Sequence, residues 1–124
     1  MTAITTNHVR AVIFDISGTV MDFGSRGPVA AFVELFARNG VTITEAEARG
    51  PMGTHKRDHV WAILSDPSVA ERWKQSHSGA APDTAALDLL YLQFTPLQVE
   101  VLDRHLDLLP GIAELTAALT ARGI

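Results

Sequence analysis

The sequence predicts an α/β protein: a core strand near the amino terminus, a succession of helices, and a return helix at the carboxyl end. Two patterns carry this expectation. Val9 to Asp15 reads as an apolar run, with Ala11-Val12-Ile13-Phe14 at its heart, closed by a carboxylate. That is the pattern of a strand covered on both faces in a parallel sheet. Downstream, apolar residues recur at i, i+3, i+4 and i+7, the period of helices with one buried face. A doubly covered strand needs hydrogen-bonded neighbours, and parallel neighbours follow a crossover helix. One strand before so many helices is therefore expected to be a portion of a larger α/β protein.

The elements follow in order. Gly18, Gly24, Gly27 and Pro28 break regularity, and Pro28 suits the first turn of a helix in which Val29, Phe32, Val33 and Phe36 form the buried stripe. Asn39-Gly40 ends it. Thr44 with Glu47 three residues on is a capping-box pattern for a short helix over Glu45 to Arg49, stopped by Gly50-Pro51. Thr54 is expected to cap a helix running to Leu64, and Asp66-Pro67 supplies the cap and first position of another through Trp73. Ser76 to Pro82 is a small polar loop. Asp83 caps a helix with Leu87, Leu90, Tyr91 and Phe94 on one face, and a further helical stretch is expected from Pro96 to His105. Pro110-Gly111 opens the last helix, with Ile112, Leu115 and Leu119 as its expected buried stripe, Gly123 at C′, and Ile124 as the first residue of a new strand. No internal repeat or low-complexity segment is present.

Composition narrows the function classes. The 124 residues are 47% hydrophobic, enough for a buried core. Lys+Arg 10 against Asp+Glu 14 gives a net charge of −4, which argues against nucleic acid as a partner. The absence of cysteine excludes disulfides, thiolate metal sites and cysteine nucleophiles. No stretch approaches the ~18 apolar residues of a membrane span, and the run before Asp15 is too short for a signal segment. No membrane partner is expected, and the expected location is cytoplasmic.

Two constellations carry chemistry. In Phe14-Asp15-Ile16-Ser17-Gly18-Thr19 an aspartate stands at the carboxyl end of the expected strand, where ligands of open α/β sheets bind. There it can serve as a nucleophile or a hard Mg²⁺ ligand, with Gly18 letting backbone N–H groups approach a phosphoryl oxygen. It can equally be a turn-forming Asp. His55-Lys56-Arg57 places cations at the positive end of a helix, where the dipole disfavours them and a neutral, nucleophilic amine is favoured at Lys56. His59 lies three residues on and projects from the same face. Solvated surface charges, tolerated at ~0.3–1 kcal/mol each, are the alternative.

The Asp15 motif resembles the first motif of the haloacid dehalogenase (HAD) superfamily, whose phosphatases often carry a second Asp where Ser17 stands. Asp22-Phe23-Gly24-Ser25, Glu47 through Gly53, and Lys56-Arg57-Asp58-His59 resemble the phosphonoacetaldehyde hydrolase family, and the likeness covers essentially the whole chain. That resemblance implies an incomplete HAD-like Rossmannoid core (1–28 and 107–124, first strand and return helix only) with an inserted all-α helical cap domain (29–106). It implies a Mg²⁺-dependent hydrolase that cleaves 2-phosphonoacetaldehyde to acetaldehyde and phosphate. In that reading Asp15 is nucleophile and metal ligand, Ser17 offers its backbone carbonyl to Mg²⁺, Lys56 forms the Schiff base, His59 supports proton transfer, and Met52 lines the site. The expected partner is a small-molecule substrate, with a homodimer through the cap helices in a full-length form. Later motifs of the family would lie beyond Ile124, so the chain is expected to be an inactive fragment. The alternatives are a HAD-type phosphomonoesterase or phosphosugar mutase fragment, and a non-catalytic helical interaction module.

Overall fold

In the computed structural model, which describes residues 9–124, the regular structure is helical: α1 (Arg26–Arg38), α2 (Glu45–Arg49), α3 (Lys56–Leu64), α4 (Pro67–Ser76), α5 (Thr84–Leu102) and α6 (Ile112–Ala121). Residues 1–8 of the expected core segment lie outside the described residues. The core forms where α1 and α5 lie along each other, with α3 packed on α5, α2 on α1 and α4 on α3. Phe32, Leu35 and Phe36 of α1, Val60, Ile63 and Leu64 of α3, and Leu90 and Phe94 of α5 are fully buried there. Each such side chain contributes about 1.5–3 kcal/mol through removal of apolar surface from water.

Local chemistry explains most boundaries. Thr44 and Glu47 form the full capping box, with the Glu47 backbone N–H donating to the Thr44 hydroxyl (3.1 Å) and the Thr44 N–H donating to the Glu47 carboxylate (2.7 Å). Asp66 caps α4 through the Ser68 N–H, and Asp83 caps α5 through the Ala86 N–H. Helix α4 continues to Ser76, a turn past Trp73.

Several expectations are corrected. Thr54 does not cap α3: its hydroxyl donates to the Pro51 carbonyl (2.8 Å), and His55 takes the cap position. Pro28 does stand in the first turn of α1 as expected; that helix begins at Arg26, where Asp22 accepts from the Arg26 and Gly27 N–H groups at 2.9 and 2.8 Å. The two helices expected on either side of Pro96 are one helix, α5. Proline within a helix costs ~3 kcal/mol, but Leu97 and Val101 prolong the buried stripe of Leu87, Leu90 and Phe94, which favours continuing it.

The expected strand is absent. Among the described residues, Val9 to Asp15 makes no backbone hydrogen bond, and Ile13 is 98% exposed. A strand is held by its ladder, and no neighbouring strand is present among these residues to complete one. The stripe of α6 is likewise not buried: Leu115 is exposed, Ile112 and Leu119 are half-buried, and the helix has no buried residue. The Ile124 N–H donates to the Leu119 carbonyl (3.0 Å), closing α6 around Gly123 at the expected C′ position. What the structure contains of the expected fold is its helical part.

The helices α1 to α5 sit between two chain passages that touch. The Asp22 N–H donates to the Asp107 carbonyl (3.2 Å), the Leu109 N–H donates to the Val20 carbonyl (2.9 Å), and Met21 and Leu108 form an isolated antiparallel bridge. Truncating Phe94 to alanine in the middle of the core is expected to lower the free energy of unfolding by ~3–5 kcal/mol, read from the midpoint of urea denaturation with the slope unchanged.

Candidate functional site

The carbonyl of Ala48, the ring of Phe32 and the first turn of α3 build one end of the site. His59 is fully buried, and its Nε2 lies 2.8 Å from the Ala48 carbonyl oxygen. A carbonyl only accepts, so Nε2 carries a proton, and in the neutral imidazole Nδ1 is then the lone-pair nitrogen. Nδ1 is buried with no hydrogen-bond partner. The imidazole stacks on Phe32 with ring centroids 3.9 Å apart, and Phe32 stacks in turn on Phe94 at 4.7 Å. Burial pushes the His59 pKa below its ordinary value of 6.5; the Ala48 hydrogen bond opposes that shift and the Lys56 charge reinforces it.

Lys56 is the first residue of α3, one turn before His59. It is half-buried, and its Nζ lies 5.6 Å from the centroid of the Phe32 ring. Among the described residues no carboxylate pairs with it, whereas the neighbouring Arg57 is bound to Asp88 of α5 at 2.5 Å. Met52, 36% exposed, lies in the turn that feeds α3, where Gly53 adopts a φ of 92° that disfavours a side chain.

The position of Ala48 is itself fixed from outside. Glu47 forms an ion pair with Arg72 of α4 at 2.5 Å and accepts from the Ser68 hydroxyl at 3.0 Å, while Arg72 also reaches the Thr42 carbonyl. The Thr44 N–H, ahead of Arg72 and Ser68, holds the Glu47 carboxyl below the usual carboxylate range.

Asp15 and Ser17 belong to a separate turn. Asp15 is exposed, and among the described residues its carboxylate has no hydrogen-bond partner. The Ile16 carbonyl accepts from the N–H groups of Thr19, Val20 and Met21, and the Gly18 N–H donates to the Met21 carbonyl at 2.7 Å. Gly18 is required there: its φ is 79°, and a Cβ would stand 2.4 Å from the Ser25 Oγ. The Ser17 hydroxyl donates to the buried Asp22 carboxylate (3.1 Å), which ties the turn to the start of α1 and lies 3.7 Å from His105 Nδ1. Thus the structure brings Lys56 and His59 together and ties Ser17 to α1; no hydrogen bond or ion pair among the described residues joins the two groups.

Among the described residues no cluster of three His, Asp or Glu side chains is arranged to hold a metal ion. The Asp15 carboxylate and the Ser17 carbonyl are nonetheless hard oxygen donors with no other partner among the described residues, and Mg²⁺ is commonly held by one or two carboxylates plus waters and phosphate. The donor chemistry fits Mg²⁺ as a partial ligand set. Sequence reasoning missed Phe32, Ala48 and Asp22 as site residues. Phe32 appears in the sequence only as one of four stripe residues, and a backbone carbonyl carries no sequence signal.

No protein-family model matches the chain. Curated relatives do. The chain is 47% identical over 112 residues to the phosphonoacetaldehyde hydrolase of Paraburkholderia xenovorans (strain LB400), covering 90% of this chain and 42% of that protein. It is 43% identical over 116 residues to the phosphonoacetaldehyde hydrolase of Bordetella avium (strain 197N), covering 94% of this chain and 41% of that protein. Over nine tenths or more of its length the chain is similar to phosphonoacetaldehyde hydrolases. A crystal structure of a phosphonoacetaldehyde hydrolase-like protein from Oleispira antarctica superposes with a TM-score of 0.78 at 36% identity, covering 94% of this chain and 46% of that one. The chain thus spans about two fifths of the length of the curated phosphonoacetaldehyde hydrolases it matches. Among the described residues no helix is long and apolar enough to cross a membrane.

The lowered His59 pKa has a stability consequence. Below pH ~6.5 the unfolded chain binds a proton at this position that the folded chain refuses, so stability falls as the pH drops towards the folded value. In urea titrations, His59→Gln is expected to flatten part of the loss of stability between about pH 7 and 5.

Proposed function

We propose that the chain carries the Schiff-base machinery of a cytoplasmic phosphonoacetaldehyde hydrolase, with residues 29–106 as an inserted cap and the flanking segments as parts of a HAD-like core. The observation that carries the reading is the placement of Lys56: a half-buried amine on the face of Phe32, free of any carboxylate among the described residues, one turn from a neutral imidazole. The names of the curated relatives support the substrate.

Cleaving a carbon–phosphorus bond requires a carbon leaving group that can hold the bonding electrons. The Lys56 amine attacks the aldehyde carbon, a C–N bond forms, the carbonyl oxygen departs as water, and the resulting iminium accepts those electrons to become an enamine. The His59 Nδ1 lone pair is the acceptor through which protons of the carbinolamine are moved. Asp15 attacks phosphorus, giving an aspartyl-phosphate that water then opens. Asp15 and the Ser17 carbonyl would hold Mg²⁺, which supplies charge neutralisation on the phosphoryl oxygens.

Position 17 separates this reading from an ordinary phosphomonoesterase. An oxygen leaving group would be served by an acid there, but Ser17 has none, and its hydroxyl is engaged by Asp22. Turnover belongs to a protein of the relatives' length, and the 124-residue chain is expected to form the imine without releasing phosphate. Sodium borohydride added with phosphonoacetaldehyde is expected to label Lys56, with peptide mapping as the readout, and Lys56→Ala is expected to abolish the label. A label that survives Lys56→Ala, or none on the parent chain, refutes the assignment.

A further inference from the structure

Phe32 contacts both chemical groups at this end of the site. Its ring stacks on His59 at 3.9 Å and lies 5.6 Å from the Lys56 nitrogen, and it is itself completely buried between α3 and α5 with Phe94 at 4.7 Å. An aromatic face attracts a cation within about 6 Å, and more strongly once the cation has lost water. No anion competes for Lys56 among the described residues, since Asp88 is bound to Arg57. The ring is therefore a source of electrostatic stabilisation for charge on this nitrogen.

We propose that Phe32 is a positioning residue for Lys56, its ring face holding the cationic nitrogen first as the ammonium and then as the iminium formed with an aldehyde. This deepens the Schiff-base reading and rests on it. The charge balance fits: an ammonium and an aldehyde give an iminium and water, two of the three nitrogen protons leave with the carbonyl oxygen, and one positive charge remains on nitrogen throughout. The iminium is planar, delocalised and poorly hydrated, so the same ring holds it better than the ammonium. Stacking against Phe32 and donation to Ala48 fix the imidazole beside it, so one ring orients the amine and its proton acceptor together.

The test separates ring electrostatics from ring shape. Replacing Phe32 with mono-, tri- and pentafluorinated phenylalanine keeps the ring while draining its negative face. Acetaldehyde with borohydride serves as the probe, and thermal melting checks the fold. Labelling at Lys56 is expected to fall stepwise, by roughly threefold to tenfold across the series. In proton NMR of the free chain, the Lys56 ε-methylene signals are expected upfield of unstructured lysine, and to return there in Phe32→Leu. Constant labelling across folded fluorinated variants, or ε-methylene signals at the unstructured position in the parent, overturns the proposal while leaving the Schiff base standing. Absence of any Lys56 label on the parent overturns the Schiff base, and this proposal with it.

Discussion

Three rings, Phe94 of α5, Phe32 of α1 and His59 of α3, stack in a column that joins the three best-packed helices. Each ring is completely or almost completely excluded from water. Aromatic pairs of this kind contribute about 0.5–1.5 kcal/mol beyond their buried area and, more usefully, fix the rotation of each ring. The first turn of α3 inherits that order. Phe32 is stacked on both Phe94 and His59, and the Lys56 nitrogen lies 5.6 Å from its centroid. In this protein the hydrophobic core and the candidate site share a side chain, so an alteration to one is felt in the other.

A buried imidazole with one unshared nitrogen carries an energetic cost, since a buried polar atom without a partner forfeits ~1–3 kcal/mol of solvation. The structure offsets part of this on the other nitrogen. Ala48 offers its carbonyl because α2, only a five-residue helix, is held by a capping box at its start and by Glu47 to α4 through Arg72 and Ser68. A helix this short has little stability of its own. Its anchors therefore set the protonation geometry of a residue on a different helix, at a distance from the half-buried ion pair that does the anchoring.

How much could be read in the residues divides along a physical line. Caps and periodic stripes are local, so the Thr44–Glu47 box, the Asp66 and Asp83 caps and the Phe32, Phe36, Leu90 and Phe94 stripes are where the sequence places them. Errors arose where a distant partner decides. Burial of Leu97 and Val101 overrides the proline in α5, and the Pro51 carbonyl draws the Thr54 hydroxyl away from the cap of α3. The apolar run at Val9 to Asp15 and the α6 stripe need partners that the described residues do not supply. For the site, the Lys56 and His59 spacing was visible because it lies on one helix face. The ring beneath them was not, because it comes from another element, and neither was the carbonyl.

The contact between residues 20–22 and 107–109 also bears on how the helical unit is carried. Its two ends emerge side by side, so topologically it is a closed parcel attached to the rest of the chain through a narrow double stem. Closing a loop this long costs only slowly rising entropy, and where the ends already meet the host needs no rearrangement to accept it. Such a parcel can be acquired, lost or exchanged between hosts as a unit. Lys56, Phe32 and His59 would travel with it, and Asp15 and Ser17 would stay behind.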